Sequence, residues 1–185
     1  RAHGLPNMDF MVVKRKSLDD PDAVADEVER RIGYPCFVKP ANLGSSVGVS
    51  RATDRGSLVH GLFEAARFDR KLLVEKAALD CREVECAILG NDEPEASILG
   101  EIVPDGDFYD YEAKYVRGTS ELIIPARVSK ETTERVQQLA REAFLAIDGA
   151  GLSRVDFFVH KQTEAVFINE INTMPGFTRI SMYPK

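Results

Sequence analysis

The stretch FINEINTMPGFT, from Phe167 to Thr178, decides how the chain is read. It opens as an apolar strand, places Glu170 and Asn172 two residues apart, and turns at Pro175-Gly176. Strand side chains alternate between faces, so Glu170 and Asn172 point the same way. Thirteen residues upstream of Phe167, Arg154 and Asp156 repeat the spacing in SRVDFFVH, and the two runs predict a β-hairpin. A four-residue loop would put Asp156 and Glu170 on opposite faces. A loop of three residues (Gln162 to Glu164) or of five sets Asp156 opposite Glu170 and Arg154 opposite Asn172. The odd-length register is the expectation, because it gathers four polar groups. Two facing carboxylates ~5 Å apart at an effective dielectric of ~20 repel by roughly 3 kcal/mol. A cation or a shared proton offsets that cost. Oxygen donors with an amide alongside suit Mg²⁺ or Mn²⁺, and the same face would also serve as a solvated surface salt-bridged by Arg154.

A second stretch, FVKPANLGSSVGVS, sets Lys39 at the end of a short buried strand, before a loop holding Gly44, Ser45, Ser46 and Gly48. Glycines let backbone N–H groups approach phosphate oxygens, hydroxyls add donors and lysine adds charge. The order is not that of a Walker A loop, since the lysine precedes the glycines, and an ordinary glycine hairpin fits the same residues. LLVEKAALDCREVEC leads to Glu75 and then Glu83, which by themselves read as exposed strand-end charges.

The 185 residues suffice for one ordinary domain or two small α/β subdomains. A net charge of −6 and a pI near 5.2 argue against a nucleic-acid or anionic-membrane partner. No apolar run reaches a membrane span, and no signal peptide is visible. Cys36, Cys81 and Cys86 lack C-x-x-C spacing and read as reduced thiols in a cytosolic setting. An opening Arg1 and an abrupt SMYPK end suggest a piece of something longer.

Element by element, DFMVVKRKS reads as a strand, and Asp20-Pro21 opens a helix carrying Val24, Val28 and Ile32. CFVKP and VGVSRA are strands, Thr53 caps a helix to about Phe68, and KLLVEKA is a strand. EVECAILG and ASILGEIV follow as strands, and residues 105–120 hold no periodic pattern, as in a functional lid. Ser129 caps a long helix before the terminal hairpin. The expectation is an α+β chain of two subdomains.

Taken in order, FVKPANLGSSVGVS, LLVEKA, REVECAILG, YDYEAKY, SRVDFFV and FINEINTMPGFT resemble the D-alanine–D-alanine ligase family of the ATP-grasp superfamily. The resemblance covers nearly the whole chain. It implies an ATP-grasp fold with a central subdomain over residues 1–78 and a C-terminal subdomain over 79–185, the two gripping ATP. It implies ATP and two Mg²⁺ or Mn²⁺ ions, with D-alanine as substrate, a cytoplasmic place in peptidoglycan synthesis, and a possible homodimer in the full-length protein. By resemblance, Lys39 and the Gly44–Gly48 loop hold phosphates, Glu75, Lys76 and Ala78 form the adenine hinge, and Glu83 meets the ribose. Lys114 of the lid reaches phosphate. Asp156, Glu170 and Asn172 are the metal ligands, and Arg154 with the Gly176 N–H stabilises the tetrahedral intermediate. Ser45, Tyr115 and Ser181 order the loop and hold the D-alanines.

The pattern departs at Ala77 and Ala78, where large apolar residues are common, and at Arg179 and Ile180, where small or polar ones are expected. A D-alanine–D-lactate or D-alanine–D-serine ligase is the near alternative, and Tyr115 after Lys114 favours the dipeptide enzyme. Other ATP-grasp carboxylate–amine ligases fit NTMPGFT and EAKY less well. A non-catalytic nucleotide-binding module would have lost part of the metal set, whereas all three residues are present.

Overall fold

The computed structural model describes residues 3–103, 121–178 and 181–185. The expected lid over 105–120, with Lys114 and Tyr115, lies outside the described residues, as do Arg179 and Ile180. The described residues divide into two compact units, Met8–Ala77 and a second that takes the leading segment to Asn7 together with residues 78–103, 121–178 and 181–185.

In the Met8–Ala77 unit, β1 (Phe10–Lys14), β2 (Cys36–Pro40), β3 (Ser50–Ala52) and β4 (Lys71–Lys76) form an antiparallel sheet in the order β1-β4-β2-β3. The first strand is shorter than DFMVVKRKS suggests, because Arg15–Asp19 coils into a 3₁₀ turn that buries Leu18. α1 (Pro21–Arg31) starts as expected, with the Asp20 side chain accepting from the Ala23 N–H and proline in the first turn. α2 (Arg55–Phe68) is capped by Asp54, not Thr53. Asp54 accepts from the Ser57 N–H while Ser57 Oγ accepts from the Asp54 N–H, a reciprocal box that the D-x-x-S spacing carries. Both helices lay their apolar residues on the sheet, in a core of Val28, Leu58, Leu62, Leu72, Val38 and Val74. Such burial is worth ~2 kcal/mol per large aliphatic side chain.

The other unit holds β5 (Cys81–Gly90), β6 (Glu95–Val103), β7 (Glu121–Ile123), α3 (Lys130–Ala146), β8 (Gly151–His160) and β9 (Val166–Asn172). Its five strands run β7-β6-β5-β8-β9, every pair antiparallel. β7 was not foreseen; three residues are too few to show alternation. α3 buries Val136, Leu139, Ala143 and Phe144 against Val84, Val155, Phe157 and Ile168. The opposite face of β8 thereby turns Arg154 and Asp156 away from the helix. The Asn7–Ile168 bridge ties the leading segment to β9, the Ile168 N–H donating to the Pro6 carbonyl at 2.8 Å.

The hairpin reaches the expected pairing by another route. His160 N–H donates to Ala165 O and Glu164 N–H to His160 O, so the loop is four residues long, Lys161 to Glu164. The odd-length loop is therefore corrected. The pairing slips by one residue between Asp156 and Phe157, where Asn169 forms a β-bulge. Beyond the bulge Asp156 faces Glu170 and Arg154 faces Asn172. Among the described residues no helix is long and apolar enough to cross a membrane.

Candidate functional site

In the Met8–Ala77 unit the geometry centres on Lys39. Strand alternation brings it onto the face of β2 that carries Phe37, and the neighbouring strand β4 carries Glu75 opposite Phe37. Lys39 Nζ lies 2.7 Å from Glu75 Oε2, both side chains about one fifth exposed (22% and 23%). The loop after β2 doubles back through two turns, Val47 N–H to Gly44 O and Val49 N–H to Ser46 O, each 3.2 Å. Ser45, Ser46 and Gly48 all have positive φ (54°, 59° and 72°). At Gly48 a Cβ would sit 2.8 Å from the Phe68 ring and 3.0 Å from Pro40, so the backbone lies against the sheet where no side chain fits.

Asp69 anchors the base of this loop. Its Oδ2 accepts from the Asn42 backbone and side-chain amides at 2.9 and 2.8 Å, and its Oδ1 accepts from the Lys71 N–H at 3.2 Å. Burial pushes the Asp69 carboxyl up, but these N–H groups outweigh it and hold it below the usual carboxylate range. Lys76 closes β4, its N–H given to Asp9 O at 2.8 Å. Ala78 and Glu83 belong to the other unit, Glu83 on β5 opposite Phe158.

In that unit β8 and β9 bring the four polar side chains together. Arg154 Nε and Nη2 donate to Asp156 Oδ1 and Oδ2 at 2.6 and 2.7 Å, a two-pronged pair. Asn172 Nδ2 lies 3.0 Å from Asp156 Oδ2 and 3.4 Å from Glu170 Oε1. Burial pulls the Arg154 pKa down, but hydrogen bonds to Asp156 and the charges of Asp156, Glu85 and Glu170 push it up further, so the guanidinium stays charged. The two carboxylates offer oxygens of the kind that hard divalent ions take, and the Asn172 amide, which here turns Nδ2 toward both, would add its oxygen on rotating about its terminal bond. Among the described residues no group of three or more His, Cys, Asp and Glu side chains has a metal-holding arrangement. The fit therefore rests on the pair Asp156–Glu170 with Asn172 as the third donor.

After β9 the chain folds on itself. Ser181 Oγ accepts from the Thr178 N–H at 3.1 Å and meets Thr178 Oγ1 at 2.9 Å. A Cβ at Gly176 would come within 2.8 Å of Ser181 Oγ, so glycine is what lets these two candidate residues touch. Met182 fills the space above Gly100, and Tyr183 OH donates to Ile88 O at 3.0 Å.

Residues 1–185 match the model of the family described as D-ala D-ala ligase C-terminus. The chain belongs to that family. It is 55% identical over 182 residues to a D-alanine–D-alanine ligase of Acetivibrio thermocellus, covering 98% of this chain and 48% of that protein. A D-alanine–D-alanine ligase of Ruminiclostridium cellulolyticum is 58% identical over 186 residues, covering 98% of this chain and 49% of that one. Among solved structures, the D-alanine-D-alanine ligase from Coxiella burnetii superposes with a TM-score of 0.83 at 36% identity, over 100% of this chain and 47% of that one. The VanG D-Ala:D-Ser ligase from Enterococcus faecalis gives 0.85 at 33% identity, over 99% and 52%. This D-Ala–D-Ala ligase C-terminal chain is thus α+β with the ATP-grasp fold, and it spans about half the length of the relatives it matches.

Two groups in the ligase fold escaped the sequence reading. Asn42 and Asp69 are 27 residues apart, and no local pattern links them. Glu85 was legible in principle, because it stands two residues after Glu83 and so shares its face.

Proposed function

We propose that the full-length protein carrying this chain is an ATP-dependent D-alanine–D-alanine ligase of the cytoplasm, supplying D-alanyl-D-alanine for peptidoglycan. The observation that carries the reading is the row of Arg154, Asp156, Glu170 and Asn172 on one face of β8 and β9, in a family whose relatives bear that name. In this reading residues 1–78 are the central subdomain and 79–185 the C-terminal one.

The chemistry runs in two steps. A carboxylate oxygen of one D-alanine attacks the γ-phosphorus of ATP, the bond to the β–γ bridging oxygen breaks, and ADP leaves with an acyl phosphate formed. The amine of a second D-alanine then attacks the acyl carbon, loses a proton, and inorganic phosphate departs. Lys39 exchanges Glu75 for phosphate oxygens, and the Gly44–Gly48 loop brings its N–H groups to the same phosphates. Asp156, Glu170 and Asn172 would hold two Mg²⁺ or Mn²⁺ ions, which would supply positive charge against the phosphates. Arg154 and the Gly176 N–H face the developing oxyanion, where one lost donor typically costs ~10²–10³ in rate. Ser181, seated against Gly176, presents its hydroxyl to substrate. Glu75, Lys76 and Ala78 take adenine and Glu83 the ribose. Lys114, Tyr115 and Ser45 are assigned the closing of the site. A homodimer belongs to the same proposal.

The test is ADP release by the full-length protein with Mg²⁺ and D-alanine, alone and with D-lactate or D-serine, the product weighed by mass spectrometry. D-Alanyl-D-alanine is expected. The likeness to a D-Ala:D-Ser ligase supports a second reading, in which the mixed D-alanyl-D-serine product dominates. Absence of D-alanine-dependent turnover would overturn both.

A further inference from the structure

Three carboxylates stand in one row across adjacent strands, Glu85 on β5 paired with Asp156 on β8, and Asp156 paired with Glu170 on β9. The row's two ends differ. Toward β9, Asn172 contacts both Asp156 and Glu170. Toward β5, Glu85 is only 8% exposed and its Oε2 lies 3.1 Å from Arg154 Nε. Arg154 thus stands between two carboxylates, its Nε–H donated to Asp156 while Glu85 Oε2 holds it by charge at 3.1 Å.

That sharing creates a conflict inside the proposed mechanism. Both Asp156 oxygens are engaged, Oδ1 by Arg154 and Oδ2 by Arg154 and Asn172. A carboxylate that turns its lone pairs to a divalent cation releases part of its grip on a guanidinium. An arginine anchored by Asp156 alone would then drift as the site fills. Glu85 lies at the far end of the row from Glu170, away from the Asn172 amide. It can keep Arg154 while Asp156 is drawn elsewhere.

We propose that Glu85 is a positioning residue: its buried carboxylate fixes the Arg154 guanidinium independently of Asp156, so that the arginine remains aimed at the oxyanion once Asp156 engages metal. The proposal rests on the ligase reading above. Glu85 and Arg154 also line a cavity of about 120 Å³ with Ala87, Gly100, Met182 and Tyr183. Shortening Glu85 widens that space, and none of those four neighbours brings a carboxylate to replace it.

The experiment uses the full-length enzyme with E85Q, R154A and the double variant, each checked by thermal melting. E85Q is expected to lower kcat by roughly 10- to 100-fold with the KM for ATP within about twofold of wild type. The melting-temperature rise produced by Mg·ADP is expected to match wild type, since Glu85 holds neither ion nor nucleotide. In R154A the further change E85Q is expected to cost less than about twofold, because the group it acts through is gone. E85D, which keeps the charge on a shorter stem, is expected to recover part of the rate and serves where E85Q melts below assay temperature. Losses that multiply in the double variant would overturn the proposal. So would an E85Q defect repaired by raising Mg²⁺, which would make Glu85 a metal ligand. Wild-type turnover in E85Q would sink the positioning role alone, whereas a wild-type protein without D-alanine-dependent turnover would remove the ligase reading beneath it.

Discussion

In the Met8–Ala77 unit the candidate site sets one cation on one anion, Lys39 on Glu75 at 2.7 Å. In the other unit a single guanidinium, Arg154, stands among Glu85, Asp156 and Glu170, with Asn172 alongside. A lone pair of opposite charges is self-sufficient, and what it awaits is a stronger anion to take the lysine away. A row of acids at the ~5 Å spacing of neighbouring strands carries repulsion of a few kcal/mol per adjacent pair, and what it awaits is positive charge. An anion such as phosphate complements the first, and a divalent cation complements the second.

The severest blow to that contrast is Asp156→Asn, which keeps shape and removes charge. D-Alanine-dependent ADP release is expected to fall roughly 10³-fold or more, and an assay titrated with Mg²⁺ and Mn²⁺ reads whether added metal restores it. Next comes Lys39→Ala, with kcat/KM for ATP expected to drop about 10²-fold. Glu75→Gln sharpens the comparison, because freeing the lysine is expected to cost less than about tenfold in the same assay. Were the two variants equally damaged, Glu75 would be more than a resting partner.

A smaller effect concerns stability. Glu101 is 2% exposed and accepts from Arg127 through the backbone N–H and two side-chain nitrogens at 2.7–3.0 Å. Burial raises its pKa, but the Arg127 hydrogen bonds and the charges of Arg127 and Arg82 prevail and hold it below the usual range. Stabilisation by a group so lowered is complete above the ordinary carboxylate range and drains away as pH falls through the lowered value. Glu101→Gln is therefore expected to cost about 2 kcal/mol near neutrality, less than a fully buried pair since Arg127 is half exposed. Melting followed from pH 7 to 3 is expected to show a shallower acid limb in the variant. Smallest is Gly48→Ala, expected to destabilise by ~1–2 kcal/mol in urea unfolding through its positive φ and the Phe68 contact.

The sequence disclosed the polar face of the hairpin because alternation is a two-residue rule, and Arg154, Asp156, Glu170 and Asn172 obey it locally. It hid the loop length, because a turn of four plus a bulge and a turn of three give the same face. One trace was present: Ile168 and Ile171 both turn toward the helix though they lie three positions apart, where a regular strand gives two or four. The Asp54 cap was equally readable in D-x-x-S. Contacts between distant segments were not, and Asp69 beneath Asn42 leaves no local mark. Nor does Met182 above Gly100, visible only once the sheet brings them together.

The extra residue at Asn169 makes β9 a strand read in two frames. Before it, Val166 and Ile168 are set to fill the core; after it, Glu170 and Asn172 are set to meet Asp156 and Arg154. Losing Asn169 would join the frames into one continuous ladder with every remaining side chain still on its own face. Losing Phe167 instead would make Val166 and Ile168 neighbours on opposite faces, so that one of them leaves the core. The strand thus carries a splice site, where its structural half and its chemical half can vary in length without corrupting each other.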